Sequence, residues 1–151
     1  MFVVIQRVVE ASVISDGVLT GKIGHGLALF VGIHKDDTVE DIYVLIKKIS
    51  KLRIFSDEND KMNLSINDVG GSVIIVSNFT LCANYVHGNR PDYFDAKSPD
   101  EASKMFDIFV NDMKNYVSNV QSGIFGSNMK YTVVNDGPIT IIMDSKKLIK
   151  G

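Results

Sequence analysis

The stretch Leu27–Ile33, LALFVGI, is a continuous apolar run of the length of a β-strand. A strand without polar alternation is typical of one buried on both faces of its sheet. Gly24-His25-Gly26 breaks the chain before it, and another strand is predicted at Val18–Ile23. Ser15-Asp16-Gly17 precedes that strand, and Asp-Gly suits the positive backbone angles of a tight hairpin turn. The sequence therefore predicts a buried central strand with a hairpin in front of it.

Further strands are predicted towards both ends of the chain. Phe2–Val9, FVVIQRVV, and Ala11–Ile14 are rich in β-branched residues, which favour strands. Later segments of strand length are Leu52–Phe55, Ser72–Ser77, Tyr131–Val134 and Ile139–Met143. Asn135–Pro138 is predicted to break the last two strands apart, because Asn, Asp, Gly and Pro are strong turn formers.

A first helix is predicted at about Thr38–Lys51. Its apolar residues recur at helical spacing and form one face: Ile42, Leu45, Ile46 and Ile49. Asp36 or Asp37 is expected to cap its start.

A second helix is predicted to begin at Ser98-Pro99, with Ser98 as the cap and Glu101 closing a capping box. Its apolar stripe is expected to run as follows: Met105, Phe106, Phe109, Val110, Met113, Tyr116, Val117 and Val120. The order of elements predicts an α/β fold in which two main helices pack on one side of a mixed sheet.

Bulk composition narrows the class of protein. The length of 151 residues fits one domain over 1–151, and 45% hydrophobic residues are enough for a core. Because the net charge is −2, any contact with RNA is expected to be local or to involve a short single-stranded end. No stretch approaches the roughly 20 apolar residues that span a bilayer, and Met1–Glu10 does not resemble a signal peptide. We therefore expect a cytoplasmic protein without a membrane partner.

The residues that most often bind metals or act as nucleophiles are isolated in this sequence. His25, His34 and His87 have neither a helical partner nor a nearby cysteine pair, so metal binding is not expected. Cys82 continues an apolar stretch and is interpreted as a buried, inert thiol rather than a nucleophile. Two lysine groups are interpreted as solvated faces, with contact to an RNA backbone as the alternative: Lys47, Lys48 and Lys51, and Lys146, Lys147 and Lys150.

Two polar segments are candidates for a site. Ser77-Asn78-Phe79-Thr80-Leu81 ends a predicted buried strand, where hydroxyls, an amide and free backbone N–H groups can face a cleft. Asn135-Asp136-Gly137-Pro138-Ile139-Thr140 is a strong turn signal. Taken alone, each segment is also explained by local structure: a polar strand end and an ordinary turn.

Both segments match the pattern of the D-aminoacyl-tRNA deacylase family, and the chain resembles this family over nearly its whole length. The resemblance is carried by the order and spacing of short blocks: Val4–Val8, Ala11–Val13, Gly24–Leu27, Val31–Ile33, Leu52–Phe55, Asn63–Ser65, Val76–Leu81, Gly88–Pro91 and Asn135–Thr140. The family pattern at the strand end is Ser-Gln-x-Thr-Leu. This chain departs from it at Asn78, whose side chain is one methylene shorter than that of Gln.

The resemblance implies a barrel-like mixed sheet and a homodimer, with no metal or cofactor. It implies that the Gly137-Pro138 peptide is cis and enters the neighbouring subunit's pocket, with Arg7 holding this loop in place. It also implies that the pocket binds the aminoacyl-tRNA 3′ end. The residues implied to line the pocket or act in it are Ser77, Asn78, Phe79, Thr80, Phe125 and Met129.

The implied reaction is hydrolysis of the ester of a D-amino acid on tRNA. Backbone N–H groups near Phe79 and Thr80 would stabilise the oxyanion, with Thr80 and the RNA's own 2′-hydroxyl assisting. Gly137 and Pro138 would exclude L side chains, which would clash with their rigid backbone. Because glycine has no side chain to exclude, glycyl-tRNA would be partly hydrolysed. Two alternatives stay open. One is a non-enzymatic dimeric module that binds RNA or a peptide, and the other is a related deacylase with a trans Gly137-Pro138 peptide that acts on L-alanine attached to threonine tRNA.

Overall fold

The computed structural model describes residues Met1–Gly151. Its strands, in chain order, are β1 (Phe2–Ser15), β2 (Val18–Ile23), β3 (Gly26–Gly32), β4 (Phe55–Ser56), β5 (Met62–Leu64), β6 (Ser72–Ser77), β7 (Val120–Ser122) and β8 (Met129–Asp144). Its helices are α1 (Val39–Lys51), α2 (Pro99–Met113) and α3 (Ser145–Lys150), and a 3-10 turn at Phe79–Cys82 follows β6. None of the helices is long and apolar enough to cross a membrane.

The main sheet is organised around β1. The first half of β1, Phe2–Val8, pairs antiparallel with β3, and Ala11–Ser15 pairs antiparallel with β2. Along its other edge, β1 pairs antiparallel with β8. β3, β6 and β7 continue the sheet as parallel neighbours, and β2 also contacts β7, so the sheet nearly closes on itself. The predicted α/β class with a barrel-like mixed sheet is confirmed.

Apolar side chains cover both faces of β3. Leu27, Leu29 and Val31 belong to the larger core cluster, which α1 and α2 cover from outside the sheet. Ala28 points the other way into a smaller cluster inside the curved sheet, against which Phe30 also packs. The prediction that this strand is buried on both faces is confirmed, and the two main helices lie on one side as expected.

Three of the predicted strand boundaries are wrong. β1 is one strand of 14 residues rather than two, and a register shift between Val8 and Glu10 absorbs the irregularity. β8 runs through Asn135–Pro138, where the sequence predicts a break. In β1, pairing with β8 continues past a β-bulge. In β8, residues 136–139 have no partner in β1, but Asn135 and Thr140 on either side are paired, so both flanks belong to one strand. Only Phe55 of the predicted strand Leu52–Phe55 lies in a strand, because only Phe55 and Ser56 find partners, in β5.

The second helix is shorter than its apolar stripe. α2 ends at Met113, Val117 is buried after a turn, and Val120 begins β7, so the later apolar residues reach the core without a helix. Ser98 and Pro99 start α2 as expected, but no capping hydrogen bond forms from the Ser98 side chain. α3 and the 3-10 turn were not predicted, because elements of one or two turns have no periodicity to detect.

The start of α1 differs from its prediction, since neither Asp36 nor Asp37 caps it. Thr38 is the N-cap, and its backbone N–H donates to Asp41 Oδ2 at 2.8 Å. Asp37 Oδ1 instead lies 2.7 Å from the α-amino nitrogen of Met1, and both groups are buried. This buried pair fastens the beginning of β1 to the beginning of α1.

Asp41 continues this buried network towards α3. Its Oδ1 accepts from the Ser145 hydroxyl at 2.6 Å, and Lys146 Nζ lies 2.9 Å from the same oxygen. Burial raises the pKa of Asp41, but the hydrogen bonds from Ser145, the Thr38 N–H and Lys146 outweigh it and lower the pKa to about 2. The ionised carboxylate is therefore the form that the fold stabilises.

We expect Asp41→Asn to lower the free energy of unfolding by about 2 kcal/mol at pH 7. The carboxylate's contribution is fully present above its unfolded pKa of 3.8 and is lost as the pH falls towards the folded value of about 2. Urea unfolding at pH 7, 5, 3 and 2 measures this, with the exposed Asp107→Asn variant as control. A difference from wild type that stays constant from pH 7 to pH 2 would contradict the prediction.

Candidate functional site

A cleft of about 510 Å³ lies at the carboxyl ends of β3 and β6. Five of the predicted site residues line it: Ser77, Asn78, Phe79, Phe125 and Met129. The start of α2, at Ser98 and Pro99, forms another part of the wall. The carboxyl ends of parallel strands meet at one edge of a sheet, which is where α/β proteins commonly hold ligands. The structure therefore joins two sequence segments, 77–79 and 125–129, that are separated along the chain.

The 3-10 turn after β6 begins at the cleft: Phe79 lines it, and Thr80 follows directly outside the lining. The Asn78 N–H donates to the Val31 carbonyl at 2.8 Å, which holds the chain against β3 before it turns. Phe79 and Thr80 are the first residues of the turn, so their N–H groups have no acceptor within it. These two N–H groups are free to bind an electron-rich oxygen.

Gly32 of β3 sets how closely this turn approaches the sheet. A Cβ atom at Gly32 would lie 2.7 Å from Leu81 Cβ and 3.2 Å from the Asn78 carbonyl oxygen. Contacts that short require the backbone of the turn to move. The absence of a side chain at this position is therefore what allows Phe79 and Thr80 to sit directly above the strand.

Thr80 and Asn78 are coupled through their side chains. The Thr80 hydroxyl donates to the Asn78 amide oxygen, and Thr80 is exposed while Asn78 is half-buried. With its proton committed to Asn78, the hydroxyl oxygen still has lone pairs that can accept from a ligand. Asn78, which replaces the Gln of the family pattern, thus fixes the orientation of the Thr80 hydroxyl.

The walls of the cleft are mostly apolar. Phe125 packs against Phe106 of α2 with ring centroids 6.0 Å apart, which fixes one wall. Phe79 is 58% exposed and meets Tyr93 edge-on at 4.9 Å. Lys97 is the charged side chain in the lining. An apolar cleft with a few polar groups at one end suits a small ligand that carries a flat, apolar part.

Sequence reasoning did not identify Tyr93 and Lys97 as residues of the cleft. Both lie in residues 84–97, a segment whose sequence has neither helical nor strand periodicity. The isolated bridge between His34 and Ala96 brings the end of this loop beside β3. The helix signal at Ser98-Pro99 was the available clue, because the start of a helix packed on the sheet fixes where the loop must end.

Gly137 and Pro138 lie elsewhere, exposed and outside the lining of the cleft. The peptide bond between them is cis, and Gly137 has a φ of +139°, in the region that favours glycine. Arg7 reaches this segment: its Nε donates to the Asp136 carbonyl at 3.2 Å, and its Nη1 donates to the Ile54 carbonyl at 2.9 Å. Within one chain, Arg7 and the Gly-Pro segment therefore form a cluster of their own.

The Asn135 side chain holds the two ends of this segment together by hydrogen bonds. Its Oδ1 accepts from the Ile139 N–H at 2.8 Å, and its Nδ2 donates to Thr140 Oγ1 at 2.9 Å. Gln6 Nε2 also donates to Thr140 Oγ1, at 3.2 Å. The turn is thus held in one shape by side chains of β1 and β8 and is presented on the surface.

The isolated histidines and the cysteine take no part in the cleft. His25 meets the ring of Phe55 edge-on at 5.1 Å, and His34 Nδ1 lies 3.9 Å from Asp36 Oδ2. Cys82 is buried as expected, and burial raises the pKa of its thiol. A raised thiol pKa disfavours the reactive thiolate.

The fold and the cleft define an α/β protein that can hold a small ligand beside unpaired backbone donors at a strand end. The family model described as D-Tyr-tRNA(Tyr) deacylase matches residues 4–144, and the chain belongs to this family. A D-aminoacyl-tRNA deacylase of Thermosipho africanus is 49% identical over 98% of this chain and 99% of its own length. One of Flavobacterium johnsoniae is 52% identical over 97% of this chain and 98% of its own length.

Solved structures share the fold. One named "c-Myc DNA Unwinding Element Binding Protein" superposes with a TM-score of 0.89 at 33% identity, covering 95% of this chain and 98% of that chain. Another, described as a "probable eukaryotic D-amino acid tRNA deacylase", superposes with a TM-score of 0.81 at 17% identity over 95% of this chain and 98% of that chain. The second likeness concerns the fold alone.

We expect Asn135→Ala to loosen the Gly-Pro segment, because the Ile139 N–H loses its acceptor. The free energy of unfolding should fall by about 1–2 kcal/mol. Amide hydrogen exchange at Ile139 should become faster, which NMR can follow residue by residue. Asn115→Ala, at an exposed position after α2, is the control and should change stability by less than about 0.5 kcal/mol. Unchanged exchange at Ile139 would show that Asn135 does not hold the segment.

Proposed function

We propose that this chain is a single-domain D-aminoacyl-tRNA deacylase, which hydrolyses the ester between a D-amino acid and the ribose of tRNA. The observation that carries the proposal is the strand end at the cleft. It combines the oriented hydroxyl of Thr80 with the free N–H groups of Phe79 and Thr80. The near-full-length likeness to relatives named D-aminoacyl-tRNA deacylase supports the same reaction.

The reaction needs little from protein side chains, because an aminoacyl ester is already activated. The oxygen of water attacks the ester carbonyl carbon, the C–O bond to the ribose breaks, and the ribose oxygen takes up a proton. The carbonyl oxygen gains negative charge in between, and the N–H groups of Phe79 and Thr80 would stabilise it. The Thr80 hydroxyl and the neighbouring ribose 2′-hydroxyl would orient the water and the leaving oxygen.

The shape of the cleft fits the end of a tRNA. Its volume of about 510 Å³ is in the usual range for small-ligand sites, roughly 300–1,000 Å³. Phe125 and Met129 form an apolar wall on which the terminal adenine would lie, beside Ser77 and Asn78. Stacking of an exposed base on apolar and aromatic side chains is the common way in which proteins hold single-stranded RNA ends.

The Gly-Pro segment would complete the site of a second copy of the chain. Gly137 and Pro138 are exposed and outside the lining of their own cleft, so their implied role requires a partner protomer. Large apolar side chains are available for such an interface, since Phe94 is 84% exposed and Ile142, on β8 beyond the segment, is 74% exposed. We therefore propose a homodimer with two sites, each completed across the interface.

Selection of chirality would follow from what the Gly-Pro segment lacks. Gly137 has no side chain and Pro138 has no N–H, so their carbonyl oxygens can approach the α-amino group of the substrate closely. An L side chain would then point into a backbone that Arg7 and Asn135 hold in place. A D side chain would point outward, and its identity would matter little.

Two other functions stay as alternatives. One is a non-enzymatic dimeric module that binds RNA or a peptide, and a structural relative named "c-Myc DNA Unwinding Element Binding Protein" gives a reason to consider binding of nucleic acid. The other is a related deacylase that acts on L-alanine attached to threonine tRNA. Hydrolysis of a D-aminoacyl ester distinguishes our proposal from the binding module. A preference for D-tyrosyl-tRNA over L-alanyl-tRNA distinguishes it from the related deacylase.

We expect the purified protein to release tyrosine from D-tyrosyl-tRNA, to spare L-tyrosyl-tRNA, and to hydrolyse glycyl-tRNA in part. Thr80→Ala should lower kcat by roughly ten-fold or more while the protein stays folded, and Thr80→Ser, which keeps a hydroxyl, is the control. Release of labelled amino acid under single-turnover conditions measures each rate. Intact D-tyrosyl-tRNA would reject the function, and glycyl-tRNA left untouched at the same enzyme level would reject the exclusion mechanism.

Mixing two impaired variants tests the shared site. Gly137→Ala should impair activity, because Gly137 has a positive φ and a Cβ there would lie 2.9 Å from the Ile139 nitrogen. In a heterodimer of Thr80→Ala with Gly137→Ala, one site has both native residues. Random re-pairing of the subunits should therefore restore about a quarter of the wild-type activity. A mixture no more active than either variant alone would show that the site is not shared between subunits.

A further inference from the structure

A second groove, which we call the basic groove, lies between α1 and α3 on the helical side of the molecule. Its volume is about 420 Å³, and Lys47, Lys48, Lys51 and Arg53 line it above an apolar floor that includes Leu52 and Leu148. No acidic side chain lines it. Four cations therefore converge on one groove in a chain whose net charge is −2.

The four cations of the basic groove form no ion pair within the protein. The ion pairs of the structure involve other cations, namely those of Met1, Arg7, His34, Lys35, Lys97 and Lys146. All four groove cations belong to exposed residues. Arg53 donates only its Nε, to the Asn63 carbonyl at 2.9 Å, which leaves both Nη groups for an external acceptor. The groove is thus complementary to an anionic partner.

The spacing of the lysines fits a chain of phosphates better than a single anion. Lys47 and Lys51 are four residues apart in α1, which places them on one face about 5–6 Å apart at Cβ, with Lys48 beside them. Successive phosphates of a nucleic-acid strand present a row of charges at a similar interval. The strongly hydrated, mobile ammonium of lysine is typical of contacts to phosphate that do not depend on sequence.

The basic groove is connected to the Gly-Pro segment through Arg7. Arg53, at the edge of the groove, is followed by Ile54, whose carbonyl accepts from Arg7. Arg7 in turn donates to the carbonyl of Asp136, the residue before Gly137. If Gly137 and Pro138 enter the partner's cleft, the basic groove of one protomer borders the cleft of the other. An RNA whose 3′ end occupies that cleft would have its adjoining helix near these cations.

We propose that the basic groove binds the phosphodiester backbone of the base-paired acceptor stem of the substrate RNA, an inference that rests on the proposed function. One protomer would then hold the stem while its partner's cleft holds the aminoacylated end. Phosphate contacts carry no information on base sequence, so this surface would serve many tRNAs equally. This gives an acidic protein a local way to bind RNA.

The test compares Lys47→Gln/Lys48→Gln/Lys51→Gln with Lys22→Gln/Lys61→Gln/Lys104→Gln, which neutralises three exposed lysines elsewhere. Both are assayed on D-tyrosyl-tRNA and on D-tyrosyl-adenosine, which has no stem, between 50 and 200 mM salt. For the groove variant we expect KM for the tRNA to rise roughly ten-fold at low salt. The slope of log KM against log salt should fall by about 2 to 3. Turnover of D-tyrosyl-adenosine and all values of the control variant should match wild type.

Three results would overturn the inference. An unchanged KM and salt slope for the tRNA would show that the groove does not contact it. An equal loss on D-tyrosyl-adenosine would show that the lysines act through the cleft. Tighter binding of polyglutamate or of anionic vesicles than of a deacylated acceptor-stem duplex would identify a different occupant. If the wild-type protein hydrolyses neither ester, the proposed function is wrong. The groove is then tested separately by binding of the deacylated acceptor-stem duplex, which the wild type should bind and the groove variant should not.

Discussion

The architecture depends on one strand that is paired along both edges. β1 holds β8 on one side and divides its other side between β3 and β2, so three strands take their positions from it. A strand of 14 residues paired in this way must curve, and its register shifts near Val8 provide the bend. The curvature separates the two apolar clusters, one inside the sheet and one under the helices. Elsewhere the sheet continues through parallel strands, β3 to β6 to β7.

The location of the cleft follows from that parallel arrangement. β3 and β6 end at the same edge, and Gly32 at the end of β3 lets the turn after β6 fold over it. The start of α2 closes the other side, because its apolar residues pack on the larger core cluster. Polar groups at the strand end thus face a cleft whose walls are extensions of the core. Val31, Ile33 and Ala102 belong both to the core cluster and to the lining of the cleft.

The sequence alone predicts the main features of this fold and falls short at specific places. The uninterrupted apolar run Leu27–Ile33 predicts a strand that is buried on both faces. The helical spacing of three isoleucines and one leucine predicts α1. The end of α2 cannot be predicted in this way, because Val117 and Val120 continue the apolar spacing although the backbone is no longer helical there. β8 pairs with β1 on both sides of the unpaired residues 136–139, at Asn135 and at Thr140, and these partners lie more than 120 residues earlier, which no local pattern records.

The candidate site shows a similar division. The segment at Ser77–Thr80 was identifiable because polar residues directly follow a buried strand. Its coupling of Thr80 to Asn78 and the contributions of Tyr93 and Lys97 depend on tertiary contacts between loops. Arg7 and Gly137 are close in space only because β1 and β8 pair, so their relation could be inferred from likeness to a family and not from spacing.

The Gly-Pro segment lies inside a strand whose two halves are both registered on β1, with Thr140 opposite Gln6 and Asn135 opposite Val8. Inserting or deleting a residue between these anchors would slip one half of β8 and turn its side chains to the opposite face. The exposed connection Asp57–Lys61 joins β4 and β5, which pair with each other and not with β1, so a change of length at its tip leaves the main sheet in register. Divergence in this lineage should therefore change the length of the β4–β5 connection freely and leave the count of residues from Asn135 to Thr140 untouched.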